Sequence, residues 1–241
     1  MQGESFERFL ADAVRDLNAQ RDPPHTLQRL VDIAPDFFDS CDYVGVSVVQ
    51  KGTITTPAAS NERLRVVDEA QYALGEGPCR EAIRTESSVA VGDLETDPRW
   101  PRWGQLMVRE LGVRSSLSFR LFTSHDETWG ALNVYSTVPH AFTREDVVHG
   151  QTIAAMAAVV LARSIKDKQL AQGLETRAVI GQATGILMER FTLSAEVAFD
   201  VLRRVSSQQN MKLRDLAADI VRSRRLPGLD DERDHSEISL Q

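Results

Sequence analysis

The sequence predicts an α+β chain: an N-terminal antiparallel sheet with flanking helices, a long connecting helix, and a C-terminal bundle of three helices. Three observations carry that prediction. From Asp42 the apolar spacing changes from a helical period to a strand period, beginning with the β-branched run YVGVSVV. From about Glu145 to Arg190 a helical pattern runs with little interruption. Behind it, two shorter segments again repeat apolar residues at helical spacing.

Phe6, Phe9, Leu10, Ala13, Val14 and Leu17 lie at helix spacing, so 6–19 reads as an amphipathic helix that ends at the RDPPH break. A second helix is expected over 26–38, with Leu27, Leu30, Val31 and Ala34 on its inner face and Pro35 kinking or ending it. YVGVSVV and GTITTPAAS form the first strands, and LRVVDEAQYALGEGPC is expected to pass through a third into a Gly-Pro loop. Further strands are expected at 89–91, 115–121 and 130–135, with helices near 79–84 and 103–110.

Thr143 can cap the long helix, whose first turn carries Glu145 and Asp146. Either this region is one coiled coil, with a seam of Ile153, Ala157, Val160, Ser164, Asp167, Ala171, Leu174 and Ala178, or two helices meet near Gly173. Ser194 can cap the next helix, faced by Val197, Ala198, Val201, Leu202 and Val205. After SSQQN the last helix presents Leu213, Leu216, Ala217, Ile220 and Val221.

At 241 residues there is room for one sizeable domain and a small one. The expected boundaries are an N-terminal helix to residue 22, a sensor domain over 23–163, the helical module over 164–225, and an acidic tail over 226–241. The tail carries five acids and one arginine and is expected to be disordered. The net charge of -7 divides unevenly: residues 164–225 hold eleven Lys or Arg against seven Asp or Glu, leaving -11 elsewhere. A nucleic-acid binder with an acidic sensor attached has this distribution.

In RAVIGQATGILMERFTLS small residues precede a bulky block. Gly181, Ala183 and Gly185 are expected to let the short helices press close, and Leu187 and Met188 to fill the small core. Each interior helical glycine costs up to ~1 kcal/mol relative to alanine, so close contact is the expected compensation.

The segment RAVIGQATGILMERFTLSAEVAFDVLRRVSSQQNMKLRDLAADIV closely resembles the ANTAR domain, over roughly 165–225. Upstream, GEGPCREAI, VGDLETDPRWPRW, GVRSSLSFRL and GALNVYSTVPHAF look like a GAF sensor domain, as found ahead of ANTAR in actinobacterial regulators. The resemblance implies a signal-responsive, RNA-binding regulator of transcription antitermination that binds paired stem-loops, usually as a homodimer. Where the family pattern usually reads Ala-Lys-Gly this chain reads Ala183-Thr184-Gly185, so a common basic contact is missing. The candidate RNA-binding residues are therefore Arg177, Thr184, Arg190, Arg203, Arg204, Lys212 and Arg214. The alternative is a small-molecule or redox sensor whose helical module binds protein partners instead of RNA.

No cofactor is named by the sequence, although an unknown small ligand of the sensor domain stays open. Cys79 is the candidate sensor residue, because a thiol at a helix N-terminus can have a lowered pKa; a buried structural cysteine is the other reading. Trp100, Trp103 and Trp129 could line a pocket or close the core. His25, His125, His140, His149 and His235 lack metal-ligand spacing, and Asp93, Glu95 and Asp97 have no nucleophile beside them. With no Walker loop or nucleophile elbow either, no catalytic residue and no metal is expected. The longest apolar run, 153–162, is too short for a bilayer span, and no signal segment is evident, so the expectation is a cytoplasmic protein with no membrane partner.

Overall fold

The computed structural model describes residues 3–20, 22–84, 87–124 and 127–225. The chain divides into two compact units, Met1–Lys168 and Gln169–Gln241. The acidic segment expected to be disordered, 226–241, lies outside the described residues, as do His125 and His235.

The first unit opens with helices α1 (Gly3–Ala19) and α2 (Pro23–Ile33). Asp22 caps α2 by accepting a hydrogen bond from the His25 amide at 3.0 Å, and prolines fill the first turn, where no amide donor is needed. Helix α2 stops at Ile33 and a 3-10 turn, Ala34–Phe37, follows, because Pro35 has no amide to continue the ladder. Strands β1 (Tyr43–Gln50) and β2 (Thr53–Ala59) come next, then α3 (Glu62–Leu74), α4 (Pro78–Arg84), β3 (Ser88–Val91) and α5 (Pro101–Leu111). Strands β4 (Ser115–Ser124) and β5 (Glu127–Ser136) complete an antiparallel sheet in the order β2-β1-β5-β4-β3, and α6 (Arg144–Phe191) leaves it.

One expectation is corrected: LRVVDEAQYALGEGPC makes no third strand but forms most of α3 and the start of α4. Leu64, Val67, Asp68 and Gln71 are buried at spacings of three and four, and Asn61 caps the helix by accepting from the Arg63 amide at 2.8 Å. The adjacent valines looked strand-like, but only Val67 of the pair is buried; Val66 is exposed.

Helices cover both faces of the sheet. On one, Val44, Val46, Val48, Leu117, Phe119, Leu121, Leu132 and Val134 share a core with α1, α2 and the first part of α6. On the other, α3, α4 and α5 bury Leu64, Val67, Ala82, Trp103 and Met107 around Val89, Val91 and Tyr135. Thr143 and Asp146 cap α6 reciprocally: the Asp146 carboxylate accepts from the Thr143 amide at 2.7 Å, and the Thr143 hydroxyl accepts from the Asp146 amide at 3.2 Å. Gly150 admits the Phe119 ring against α6, since a Cβ there would stand 2.1 Å from the ring.

Helix α6 is continuous through Gly173, and the first part of the expected coiled-coil seam is corrected. Ile153, Ala157 and Ser164 are buried inside the first unit and unavailable to a second helix. The exposed apolar residues of α6 in this unit are instead Val148, Met156 and Val159. By length and composition α6 is apolar enough to cross a membrane, yet Ile153, Ala154, Ala157, Ala158 and Leu161 are buried in the protein core.

The second unit is built from α6 beyond Lys168, α7 (Ala195–Gln208) and α8 (Leu213–Ser223). Ser194 caps α7 by accepting from the Val197 amide at 3.4 Å. The core consists of Ala183, Leu187, Ala198, Leu202, Val205, Leu216, Ala217 and Ile220, with Met188 packed at its margin. Gly181 and Gly185 correct the sequence reading, since both are exposed and a Cβ on either would meet open space. Close helix packing is the work of Ala183, on the opposite side of the helix.

Changing Gly150 to Ala should therefore lower the stability of the first unit by about 1–3 kcal/mol, because Phe119 is fully enclosed and cannot yield. Urea unfolding followed by tryptophan fluorescence reads this unit alone, as Trp100, Trp103 and Trp129 all lie within it. An unchanged midpoint and slope would show that the sheet and α6 have slack at that contact.

Candidate functional sites

On the sheet face covered by α3, α4 and α5, small polar residues stand where a structural sheet would carry valine or leucine. Strand β4 contributes Ser116 and Ser118, β5 Asn133, β1 Ser47 and β2 Thr56, and all are buried. From α3, Asp68, Gln71 and Tyr72 descend onto this face, and Cys79 joins it from the first turn of α4. Gly45 makes room for the acid: a Cβ there would lie 3.1 Å from Asp68 Oδ2.

A hydrogen-bonded chain links these groups. Cys79 Sγ donates to Ser47 Oγ at 3.2 Å, Ser47 Oγ lies 2.6 Å from the Tyr72 hydroxyl, and that hydroxyl lies 2.7 Å from Thr56 Oγ1. Thr56 Oγ1 donates to Asp68 Oδ2 at 3.1 Å, and the Tyr135 hydroxyl donates to Asp68 Oδ1 at 3.0 Å. Asn133 Nδ2 also donates to Ser47, at 3.0 Å. Burial pushes the Asp68 carboxyl up to about 7, partly offset by the Tyr135 and Thr56 hydroxyls. Burial likewise raises both tyrosines above their ordinary range.

Cys79, singled out as a candidate sensor, is completely buried, and burial pushes its thiol up to about 12, with the Asp68 charge adding to the rise. That is opposite to the lowered pKa expected at a helix start. Cys41 is also pushed up to about 12, chiefly by burial, and both cysteines are free thiols. The alternating acids are engaged in ion pairs: Asp93 and Glu95 with Arg114 at 2.8 Å each, and Asp97 with Arg99 at 2.7 Å. Trp100 and Trp103 are core residues, and the Trp103 indole N–H donates to the Val67 carbonyl at 3.2 Å. Trp129 packs at the margin of the opposite core, beneath the Lys166 ammonium. No metal-binding group of acids, cysteines or histidines occurs among the described residues.

The polar network was not legible as a site. Its one sequence signal is SSLSFRL, in which Ser116 and Ser118 alternate with Leu117 and Phe119.

In the second unit the candidate RNA-binding residues fall into separate groups. At about 100° per residue, Arg177, Gly181, Thr184 and Gly185 share an arc of about 100° on α6, and Arg190 lies on the far side. Arg177 is exposed; the Thr184 hydroxyl donates back to the Ile180 carbonyl at 2.8 Å, so its proton is already used. Arg190 donates to the Arg224 carbonyl at 2.6 Å beside an open cleft of about 1120 Å³, lined also by Gln182, Gly185, Glu189, Ser223 and Arg225. Arg224 and Arg225 were not singled out in the sequence, because they follow the last periodic residue. Arg203 and Arg204 are exposed on α7, with Arg203 3.2 Å from Asp200; Lys212 precedes α8 and Arg214 lies in its first turn, 3.2 Å from Asp215.

The ANTAR domain model matches residues 168–221 and the GAF domain model matches residues 20–162. Among solved structures, the GAF domain of a phosphoenolpyruvate-protein phosphotransferase from Coxiella burnetii is 16% identical, with 70% of this chain and 99% of that one covered and a TM-score of 0.56. A free methionine-R-sulfoxide reductase from Neisseria meningitidis, in complex with its substrate, is 16% identical over 67% of this chain and 90% of that one, with a TM-score of 0.53. The phytochrome photosensory core module of Stigmatella aurantiaca is 12% identical over 85% of this chain and 45% of that one, with a TM-score of 0.57. At such identities the likeness is one of fold. No curated protein matches the chain.

Two outcomes follow from the buried network. The Asp68 carboxyl is raised from 3.8 to about 7, so between those values the unfolded chain has lost a proton that the folded chain keeps, and stability falls as the pH rises. Above about 7 the penalty is complete. Asp68→Asn should remove this contribution, flattening urea stability between mildly acidic buffer and neutrality by on the order of 1 kcal/mol per pH unit crossed; an unchanged profile would mean that the carboxyl ionises freely. Separately, native protein at neutral pH should react with a thiol alkylating agent far more slowly than denatured protein, and rapid native labelling of Cys79 would restore the redox reading.

Proposed function

Since the chain belongs to the GAF domain family and carries an ANTAR domain behind its GAF region, we propose that it is a signal-responsive RNA-binding regulator that promotes transcription antitermination by holding paired stem-loops in nascent RNA. The proposal includes a cytoplasmic homodimer, a small-molecule signal received on the polar face of the sheet, and no enzymatic step. A dimer suits paired targets because one bound loop raises the effective concentration of the second. Leu170 and Leu174, 65% and 57% exposed on the second unit's part of α6, offer apolar contact to a second copy.

The observation that carries the RNA reading is the bare strip of α6 at Gly181 and Gly185. Two exposed glycines within a helix cost stability and fill no space inside this unit. A backbone left uncovered beside Arg177 on one side and the Arg190 cleft on the other lets a nucleotide approach the helix closely while arginines take its phosphates. Arg203, Arg204, Lys212 and Arg214 extend the basic surface along the two short helices.

One observation favours the second reading, a module for protein partners. Val197 and Phe199 are exposed on α7, and the hydroxyl of Thr184, at the position where the family lysine usually stands, bonds its own helix.

The deciding measurement is binding of a two-stem-loop RNA and a single-loop control at two salt concentrations. The two-loop RNA should bind more tightly, salt should weaken it steeply, and changing Arg203 and Arg204 together to Ala should cost about tenfold or more. Gly185→Ala separates the readings further: it should raise the helical stability of the second unit by up to about 1 kcal/mol and still weaken RNA binding. Salt-insensitive binding with no preference for two loops would favour protein partners, and full affinity in Gly185→Ala would remove the strip from the interface.

A further inference from the structure

The polar face of the sheet contains three buried atoms without a hydrogen-bond partner: Ser116 Oγ, Ser118 Oγ and Asn133 Oδ1. They are neighbours. Ser118 pairs with Asn133 across β4 and β5, and Ser116 lies two residues along the same strand, on the same face. A buried polar group whose hydrogen bond is unmade destabilises the fold. An alanine at either serine would remove that cost, so three adjacent orphans on one face, opposite a fully apolar one, point to a guest.

The chemistry of the orphans restricts the guest. The Asn133 amide nitrogen is committed to Ser47, which leaves its carbonyl, an acceptor that demands an N–H or O–H from the guest. The two serine hydroxyls bring protons that demand an acceptor. Charge is restricted as well. The side chains bonded around the orphans are the uncharged Ser47, Thr56, Gln71, Tyr72, Cys79 and Tyr135, and Asp68; Arg80 reaches this group through the Tyr72 backbone carbonyl at 3.1 Å, and Arg120, two residues beyond Ser118 on β4, is bonded to Thr128 at 2.8 Å. An anion placed there would be buried near an acid, with both of these arginines already bonded elsewhere, which is unfavourable. A cation would leave both serine protons unanswered, while Asp68 is already engaged by two hydroxyls.

On the reading that this face receives the signal, we infer that it takes a small uncharged molecule with an N–H donor next to a carbonyl acceptor, the chemistry of a primary amide or a urea. The carbonyl of the guest accepts from Ser116 and Ser118, and its N–H donates to Asn133. Helix α4, which lays Cys79 and Ala82 over this part of the sheet, keeps the guest compact.

Three probes of matched size test this on the full-length chain by saturation-transfer NMR: propionamide, propionate and propylammonium. Propionamide should give saturable binding, and the Ser116→Ala/Ser118→Ala double variant should bind it about tenfold more weakly. The variant is also informative without a probe, since removing two unpartnered hydroxyls should leave the thermal midpoint of the free protein unchanged or raised. A lowered midpoint would mean that the hydroxyls have partners within the fold, and the inference would fall. Saturable binding of propionate or propylammonium that disappears in the double variant would keep this face as the sensor site and overturn the amide class. If no probe saturates, or if propionamide binds the variant as well as the parent, the orphans hold no such guest. The RNA measurement is independent of all these outcomes.

Discussion

Along β4, Leu117, Phe119 and Leu121 point to one layer of helices while Ser116 and Ser118 point to the other, and a strand that serves two such different surfaces has one tolerable register. A slip of one residue would bury the serines among Phe38, Val46 and Ile153 and turn the Phe119 ring onto Asn133. The neighbouring strands obey the same alternation: Leu132 and Val134 against Asn133 and Tyr135 on β5, Val46 and Val48 against Gly45 and Ser47 on β1. One face is apolar along all three central strands, whereas on the other the hydrogen-bonded network sits beside a second apolar core of Leu64, Val67, Trp103 and Met107, so both faces contribute to folding.

The two units use glycine in opposite ways along α6. Gly150 is filled space: the Phe119 ring occupies the place of its missing side chain. Gly181 and Gly185 are open space, with nothing within 4 Å of where a Cβ would stand. The composition of the helix is the same in both places, yet the consequence differs, because what a missing Cβ does depends on what stands opposite it. At Gly150 the gain is internal packing. At Gly181 and Gly185 no packing contact inside the unit offsets the loss of helix propensity.

The α+β architecture was legible in the sequence wherever one face of an element is apolar and the other polar. Strands β1, β2, β4 and β5, the capping of α6 by Thr143 and of α7 by Ser194, and the two short terminal helices follow that rule. It failed in α3, where two adjacent valines imitate a strand and the buried polar residues Asp68 and Gln71 occupy positions that an amphipathic pattern reserves for apolar ones. The same substitution of polar for apolar hid the candidate ligand site: serine and asparagine in a strand suggest exposure, and only the three-dimensional cover of α3, α4 and α5 reveals them as buried. The first part of the seam assigned to α6 failed for the converse reason. Ile153 and Ala157 have the spacing of a coiled coil, but spacing cannot say whether the surface they meet belongs to another chain or to the sheet of their own.

The buried network has room for very little charge. Ionising Cys79 is opposed by its burial and by the carboxylate of Asp68, so any charge the network holds resides on the acid. A guest of the proposed kind would thus be recognised by hydrogen bonding, and its effect on the protein would be mechanical rather than electrostatic. That effect has a short route within the first unit. Ser118 and Phe119 are consecutive on β4, one facing the orphan cluster and the other pressed into Gly150 of α6. Displacement of β4 at the serine moves the ring at the glycine, where the fit leaves no slack to absorb it. In a strand whose alternate residues touch the polar network and the helix, the two cannot be adjusted independently.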